Sequence, residues 1–597
     1  MAAITRRSLV RGLGAISALG GLSACSGKKT EEEEEDDRPQ QIGDDAQEVQ
    51  ALVRLALGQL VDRSYITSVI TQNGEVPAGT LVPRGVFEPD GTEFFARAGD
   101  GNSKGYFNAS QNGFKTCFDK AMATLKTYYK YNRAKGIFKN FPPLTYVCDN
   151  DEVRKGIGEY LACVFEQVGI EMEVVVQDDQ TYANTCAGGG FSIVCAHHDL
   201  ECTDPQCMLD LWTAEAPNTA QLGKGAHERV SIYNLNLASY GMDVLAADET
   251  WANTYDVLAK TIANTADQTV RCNLLHLAED MVMDTGCVSP LYYDTTPYLH
   301  AKELEGHYLT SLGIHSFKGT KFKGSDEVLN VCLGKEPATL DPAWVASPND
   351  VTIATHLCAG LARWTKRAEN DYIVEADCAR ELVAGVQNAD GTITYTYVLR
   401  DGLVWSDGKP LVARDFEVAW KRAASKEFGS PQRRLFSVIQ GYDEGSLSVS
   451  ATDDKTLTVV AACPVPHWNQ LLALPAFAPV REDVAGNGSW ANDASTFVGN
   501  GPYRMAAWEH GSVIRMEKND TYWDNPRVVM RQICFHATDD NHASLANFEA
   551  GTWQLIANLP HGEMDLIHET HPEEYAIGPC VGTHYLCINA NENILPI

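Results

Sequence analysis

The chain is poor in positive charge. Over 597 residues, 48 Lys and Arg stand against 79 Asp and Glu, a net charge of −31. That balance repels a polyphosphate and excludes nucleic acid as a partner. Long apolar runs are scarce as well: no stretch approaches the roughly 20 apolar residues that cross a bilayer as a helix. The 17 cysteines are scattered and contain no CxxC pair. No zinc ribbon or thioredoxin-like motif is therefore spelled out, and disulfide pairing cannot be read from spacing. No GxSxG nucleophile elbow, HExxH helix or P-loop is read in the chain. The carboxylates are plentiful, but no pair can be placed across a substrate. The sequence reads as a non-enzyme with no cofactor.

The N-terminus carries what the rest lacks. Arg6-Arg7 precede a weakly apolar stretch, Leu13 to Leu19, too short to span a membrane and suited to a signal h-region. It ends in Leu22-Ser23-Ala24-Cys25, which resembles a lipobox, and the twin arginines suggest Tat export. Residues 1–25 are read as a lipoprotein signal peptide with Cys25 as the lipidated residue. The expected location is therefore the extracytoplasmic face of the cell membrane. Glu31 to Asp37 is a run of like charge that cannot bury anything and self-repels, so 26–44 reads as an acidic, disordered tether.

From about residue 45 the pattern becomes globular. Pro143 to Val147 reads as a strand. A helix follows, with Val153, Ile157, Leu161, Val164 and Val168 on one face and Gly169 at its C-cap. Ile170 to Val176 is β-rich, so this is a βαβ unit and implies a parallel sheet. Gly188-Gly189-Gly190 lacks phosphate-loop spacing and reads as a turn before the strand at Phe191 to Val194. Leu274 to Met283 is a helix, and Ser289 to Tyr293 ends the region. Residues 317–327 are polar and glycine-spaced, as in a linker. Beyond them, Val328 to Leu333 and Thr392 to Leu399 are strands, and Asp415 to Ala424 is a helix. A hairpin turns at Asp453-Asp454-Lys455.

Several phrases of the second half, taken in order, resemble the oligopeptide/dipeptide-binding family of ABC-importer solute receptors, family 5. They are Leu340-Asp341-Pro342; Tyr397 through Trp405-Ser-Asp-Gly-Lys-Pro410; Asp415-Phe416 and Trp420; Asn500-Gly501-Pro502-Tyr503 and Trp508; Asn519 through Trp523; and Gly582-Thr583-His584-Tyr585 with Asn589. The first half resembles the family's closing half: Val53 to Arg63, Phe191 to Pro205, and Arg271 through Tyr292. The order is thus that of a circular permutant. The resemblance implies an α/β, two-lobed, type II periplasmic-binding fold with an interlobe cleft. On that basis the second lobe is expected at 45–300, with a return strand and linker at 301–325. The first lobe is expected at 326–368 and 498–597, with an additional subdomain at 369–497. The family's lobe-to-lobe join is expected to be cut between Ile597 and Asp45.

The resemblance further implies a monomer that takes a peptide ligand and an ABC permease as partners. Glu201, in Leu200-Glu201-Cys202-Thr203-Asp204-Pro205, falls where the family places the acid that meets a peptide amine; a solvated loop acid is the alternative. His198, Cys195 and Asp179 fall at cleft positions where the family carries an aromatic, an Arg in some members, and another aromatic. Ser347 and Pro348 lie on a segment that pairs with ligand backbone. Tyr585 matches a cleft aromatic, with a core or hinge role as the alternative. Cys195 to Cys202 also gathers soft and borderline metal ligands. Alternating residues of one strand cannot all converge, so no metal site is assigned there. A metal-chelate (nickel-type) receptor and a non-functional rearranged product are the alternative functions.

Overall fold

The computed structural model describes residues 46–590, except 89, 100–104, 111–112, 214–250, 324, 346, 369–370, 487, 561 and 579. The expected leader, Cys25, the tether and Ile597 lie outside the described residues.

The first half builds a mixed sheet with helices. α1 (Ala46–Gln59) is followed by the short β1 (Val76–Pro77), then β2 (Leu144–Cys148), α2 (Glu152–Gln167), β3 (Met172–Val176), α3 (Asp179–Gly188) and β4 (Ile193–Asp199). α4 (Gln268–Asp284) and β5 (Val288–Tyr293) complete this part. α2 forms where the apolar period predicts it. Asp151 caps its first turn by accepting from the Arg154 amide, Ile157, Leu161 and Phe165 face the core, and Gly169 takes φ +81° just beyond its end. β2 pairs in parallel with both β3 and β4, the expected βαβ geometry.

Next come β6 (Thr296–His300), β7 (Val328–Gly334) and α5 (Pro348–Leu357). The subdomain that follows holds β8 (Ile393–Val398), α6 (Ala413–Ala423) and β9 (Thr456–Ala461) in and against a four-stranded antiparallel sheet. Its core is aromatic: Phe477 packs against Trp420, Phe436 and Trp468. The chain ends in β10 (Tyr503–Glu509), β11 (Val513–Lys518), β12 (Gln532–Ala537), β13 (Leu555–Ile556), β14 (Tyr575–Gly578) and β15 (Gly582–Ile588).

The two halves of the chain exchange strands. One sheet has the order β1-β5-β15-β4-β2-β3. β15, from the far end of the chain, lies between β4 and β5 and runs antiparallel to both. The other sheet has the order β10-β11-β12-β7-β13-β6-β14, and β6, from the first half, is hydrogen-bonded there to β13 and β14. The molecule is therefore a two-lobed α/β fold in which neither sheet is complete without both halves.

Three sequence expectations need correction. β15 lies in the sheet of the first half, not with the rest of 498–597, and β6 lies with the second half although it falls within 45–300. The lobe-to-lobe passages are consequently Tyr293 to Thr296 and Gly578 to Gly582, and neither is cut. The described ends instead meet within one lobe. The Ile588 amide donates to Cys287 O at 2.7 Å, and Gly286 next to it is packed so closely on Ala51 and Leu55 that a Cβ would collide with them. Finally, 317–327 is not a simple linker. Phe317 is fully buried against His315, His356 and Phe535, and its amide donates to His356 Nε2 at 3.0 Å.

Candidate functional site

β4 runs to its C-terminal end at Asp199, and the chain then bends through Leu200 to Trp212. This bend faces the subdomain. Cys202 and Cys207 are joined by a disulfide that closes the small loop. Within it, Asp204 is buried and receives a two-pronged pair from Arg271, with both N–O distances at 2.9 Å. Burial opposes the charge on Asp204, but Arg271 and then His467 outweigh it and hold the carboxyl well below its usual range. Bidentate guanidinium pairing of this kind fixes a loop rigidly.

The seam between this loop and the subdomain is polar. The Thr203 amide donates to Gln470 Oε1 at 2.8 Å, and Gln470 Nε2 returns a bond to Thr203 Oγ1 at 2.9 Å. Arg434 donates to Glu201 Oε1 and lies 3.5 Å from His198 Nε2. Burial raises the Glu201 carboxyl, but Arg434 and His198 overcome it and hold it at about 2. The other oxygen, Glu201 Oε2, is buried and has no hydrogen-bond partner; His198 Nε2 stands 3.6 Å away. Such an atom is costly unless something meets it. Beside it, Gln206, Asp210, Arg434 and His467 line a cavity of about 50 Å³, room for a few waters. Burial pushes the Asp210 carboxyl up to about 6.

Glu201 and His198 come together at the seam between this loop and the subdomain. The other predicted residues do not join them there. Tyr585 is fully buried in β15, edge-on to Trp212 at 5.7 Å, and belongs to the core. Cys195 is 3 % exposed in mid-strand, and burial pushes its thiol up to about 12. Asp179 is the exposed first residue of α3, behind its cap Asp178. Ser347 is the N-cap of α5, accepting from the Asp350 amide, and Pro348 is the first residue of that helix. Both are at the C-terminal edge of β7, beside a cavity of about 500 Å³ lined by Gly334, Ser347, Asn349, Asn541 and Asn558. Open α/β sheets tend to receive ligands at such an edge.

Sequence reasoning missed the partners across the seam, Arg434, Gln470 and His467. It also missed the opposite face of β4. There His197 lies beside His584 of β15, which lies beside Tyr292 of β5, the three rings stacked at 4.3 and 4.4 Å. Asp294 reaches both imidazoles. Burial lowers His197, but Asp199 and Asp294 outweigh it and raise it to about 10.

Residues 378–596 match the model of the bacterial extracellular solute-binding proteins, family 5 Middle. The resemblance read from the sequence holds over that stretch. The chain is 31% identical over 257 residues to the oligopeptide-binding protein OppA of Bacillus subtilis (strain 168), covering 41% of this chain and 46% of that one. It is 32% identical over 235 residues to the dipeptide-binding protein DppE of the same organism, covering 38% and 42%. Among solved structures, OppA of Burkholderia pseudomallei is 28% identical with a TM-score of 0.38, covering 41% of this chain and 49% of that one. The chain thus spans about half the length of the curated relatives it matches.

Proposed function

We propose, from the family 5 match of residues 378–596, that the chain is an extracytoplasmic receptor that captures peptides and delivers them to an ABC permease. In this reading the segment order is a circular permutation of the family's, Cys25 carries the lipid anchor, and the receptor acts as a monomer. The interleaving of β15 and β6 supports the permutation, as does the meeting of both described ends at 286–288. The relatives named for oligopeptides and dipeptides support the ligand class.

The observation that carries the reading is Glu201. Its carboxylate stands on the seam between lobe and subdomain, held charged by Arg434 through one oxygen, with the other oxygen buried and unmet. A peptide ammonium is a small cationic donor that such an oxygen would accept when the lobes part. Charge-assisted bonds of this type contribute about 1.5–3 kcal/mol. A thermal-shift screen of the mature chain against pools of di- to decapeptides tests this. A pool member at 100 times its Kd should stabilise the native state by about 2.7 kcal/mol. A folded chain whose melting temperature no peptide moves would contradict the reading.

A further inference from the structure

We infer that His197, His584 and Asp294 form a binding site for a divalent transition-metal ion such as Zn²⁺ or Co²⁺, placed at the base of the two lobe-to-lobe passages. This site is separate from Glu201 and from any transported solute. His197 and His198 are consecutive on β4 and so point to opposite faces of the sheet.

Three observations point to an ion. The first is the donor set. One ring nitrogen of His197, one of His584 and an Asp294 oxygen lie within 4.8 Å of one another. Asp294 Oδ2 is 3.3 Å from His197 Nε2, and Asp294 Oδ1 is 3.1 Å from His584 Nε2. With zinc bonds of about 2.0–2.1 Å, the edge of a tetrahedron is about 3.3–3.4 Å. Two imidazoles and a carboxylate suit a borderline ion rather than calcium or magnesium. Three protein ligands leave one position for water.

The second is a buried oxygen, Asp294 Oδ2, without a hydrogen bond and held only by the ion pair to His197 Nε2 at 3.3 Å. The third is space made by a glycine. A Cβ on Gly582 would collide with both Asp199 Oδ1 and Asp294 Oδ2. Gly582 thus lets two carboxylates approach the same pair of imidazoles, and Asp199 Oδ1 stands 3.2 Å from His197 Nε2. Cys580 Sγ lies 3.5 Å from that same oxygen. The other cluster of this kind among the described residues, Cys202, Cys207 and His467, has its sulfurs consumed by the disulfide.

The location gives the ion a consequence. β4, β15 and β5 are neighbours in one sheet, and Asp294 opens the passage from Tyr293 to Thr296. Its amide donates to Gly582 O at 3.1 Å, which ties this passage to the end of the other one. An ion held by His197, His584 and Asp294 would cross-link three strands at the point where both passages leave the sheet. It would stiffen the hinge without touching the ligand seam.

The test uses the untagged mature chain, stripped with a chelator and titrated with Co²⁺ and then with Zn²⁺. Cobalt should bind one ion per chain and give the visible d–d bands of a low-coordinate nitrogen and oxygen site. Zinc should displace it and raise the melting temperature. His584→Gln and Asp294→Asn should each weaken binding by more than about 100-fold, beyond the 10–100-fold typical of outer-shell partners. His542→Ala, at an exposed histidine, should leave it intact. Far-UV circular dichroism checks that each variant folds. Gly582→Ala keeps all three donors and should also weaken binding, so the idea stays testable if a ligand variant fails to fold. A natural chain that takes up no stoichiometric ion overturns the proposal. So do variants that bind cobalt as the natural chain does.

Discussion

His197 and His198 are neighbours in sequence and lead different chemical lives. His198 faces the subdomain and shares Glu201 with Arg434. His197 faces the other side of the sheet and shares Asp294 with His584. Each partner is brought from afar: Arg434 lies 236 residues from His198, and β15 lies at the opposite end of the chain. A strand end that looks like one polar cluster in sequence is two sites back to back. One faces the seam with the subdomain, and the other sits on the strands that lead into both passages between the lobes.

The largest effect that sharpens this contrast comes from what lies between the two sites. Tyr585 is fully buried where β15 joins β4 and β5. Tyr585→Ala should cost about 3–5 kcal/mol, as for large aromatic truncations in cores. Urea unfolding measures it. A change below ~1 kcal/mol together with a loss of peptide affinity would return Tyr585 to the cleft.

Next in size is the seam carboxylate. Free-amine peptides should bind more tightly than their N-acetylated forms by about 1.5–3 kcal/mol, and Glu201→Gln should abolish that preference. Calorimetric titration of the matched peptide pair reads it. A preference that survives the substitution would move the amine site elsewhere.

The seam also has a pH signature. The Glu201 carboxyl is lowered from 4.5 to about 2 in the folded chain. Its contribution to stability is therefore complete above about pH 4.5 and disappears as the pH falls from 4.5 through 2. Arg434→Gln should flatten that part of the stability profile, followed by denaturant midpoints at each pH. An unchanged slope would mean that Arg434 does not hold Glu201 charged.

The smallest effect concerns the neutral contact. Gln470→Ala removes three bonds to Thr203 and should cost about 0.5–1.5 kcal/mol per bond at most, since water replaces them when the seam opens. A loss well above that range would show that Gln470 supports the loop itself.

The local elements were legible because their causes are local. The period of Ile157, Leu161 and Val168 sets α2, and Gly169 ends it. Alternation of Ile393, Tyr395 and Tyr397 sets β8, whose burial alternates in the same way. That Glu201 and His198 share one short segment was legible; that Arg434 meets them there was not. The sheet membership of β15 was not. Its alternation fits either sheet, and only pairing with β4 and β5 decides it. For that reason the sequence points to a passage between lobes at the chain ends, whereas it lies at Gly578 to Gly582. Arg434 follows Arg433 in a short helix and looks like surface charge. His197, His584 and Asp294 converge through register across three strands, which no spacing in the sequence encodes.

Both halves of this chain are proposed to build one peptide receptor. Titration calorimetry of the mature chain, with the peptides selected by the thermal-shift screen, tests it most directly. Saturation at one peptide per chain is expected, with a negative heat-capacity change from closure of the lobes. A chain that unfolds cooperatively and yet binds no peptide of any length would contradict it.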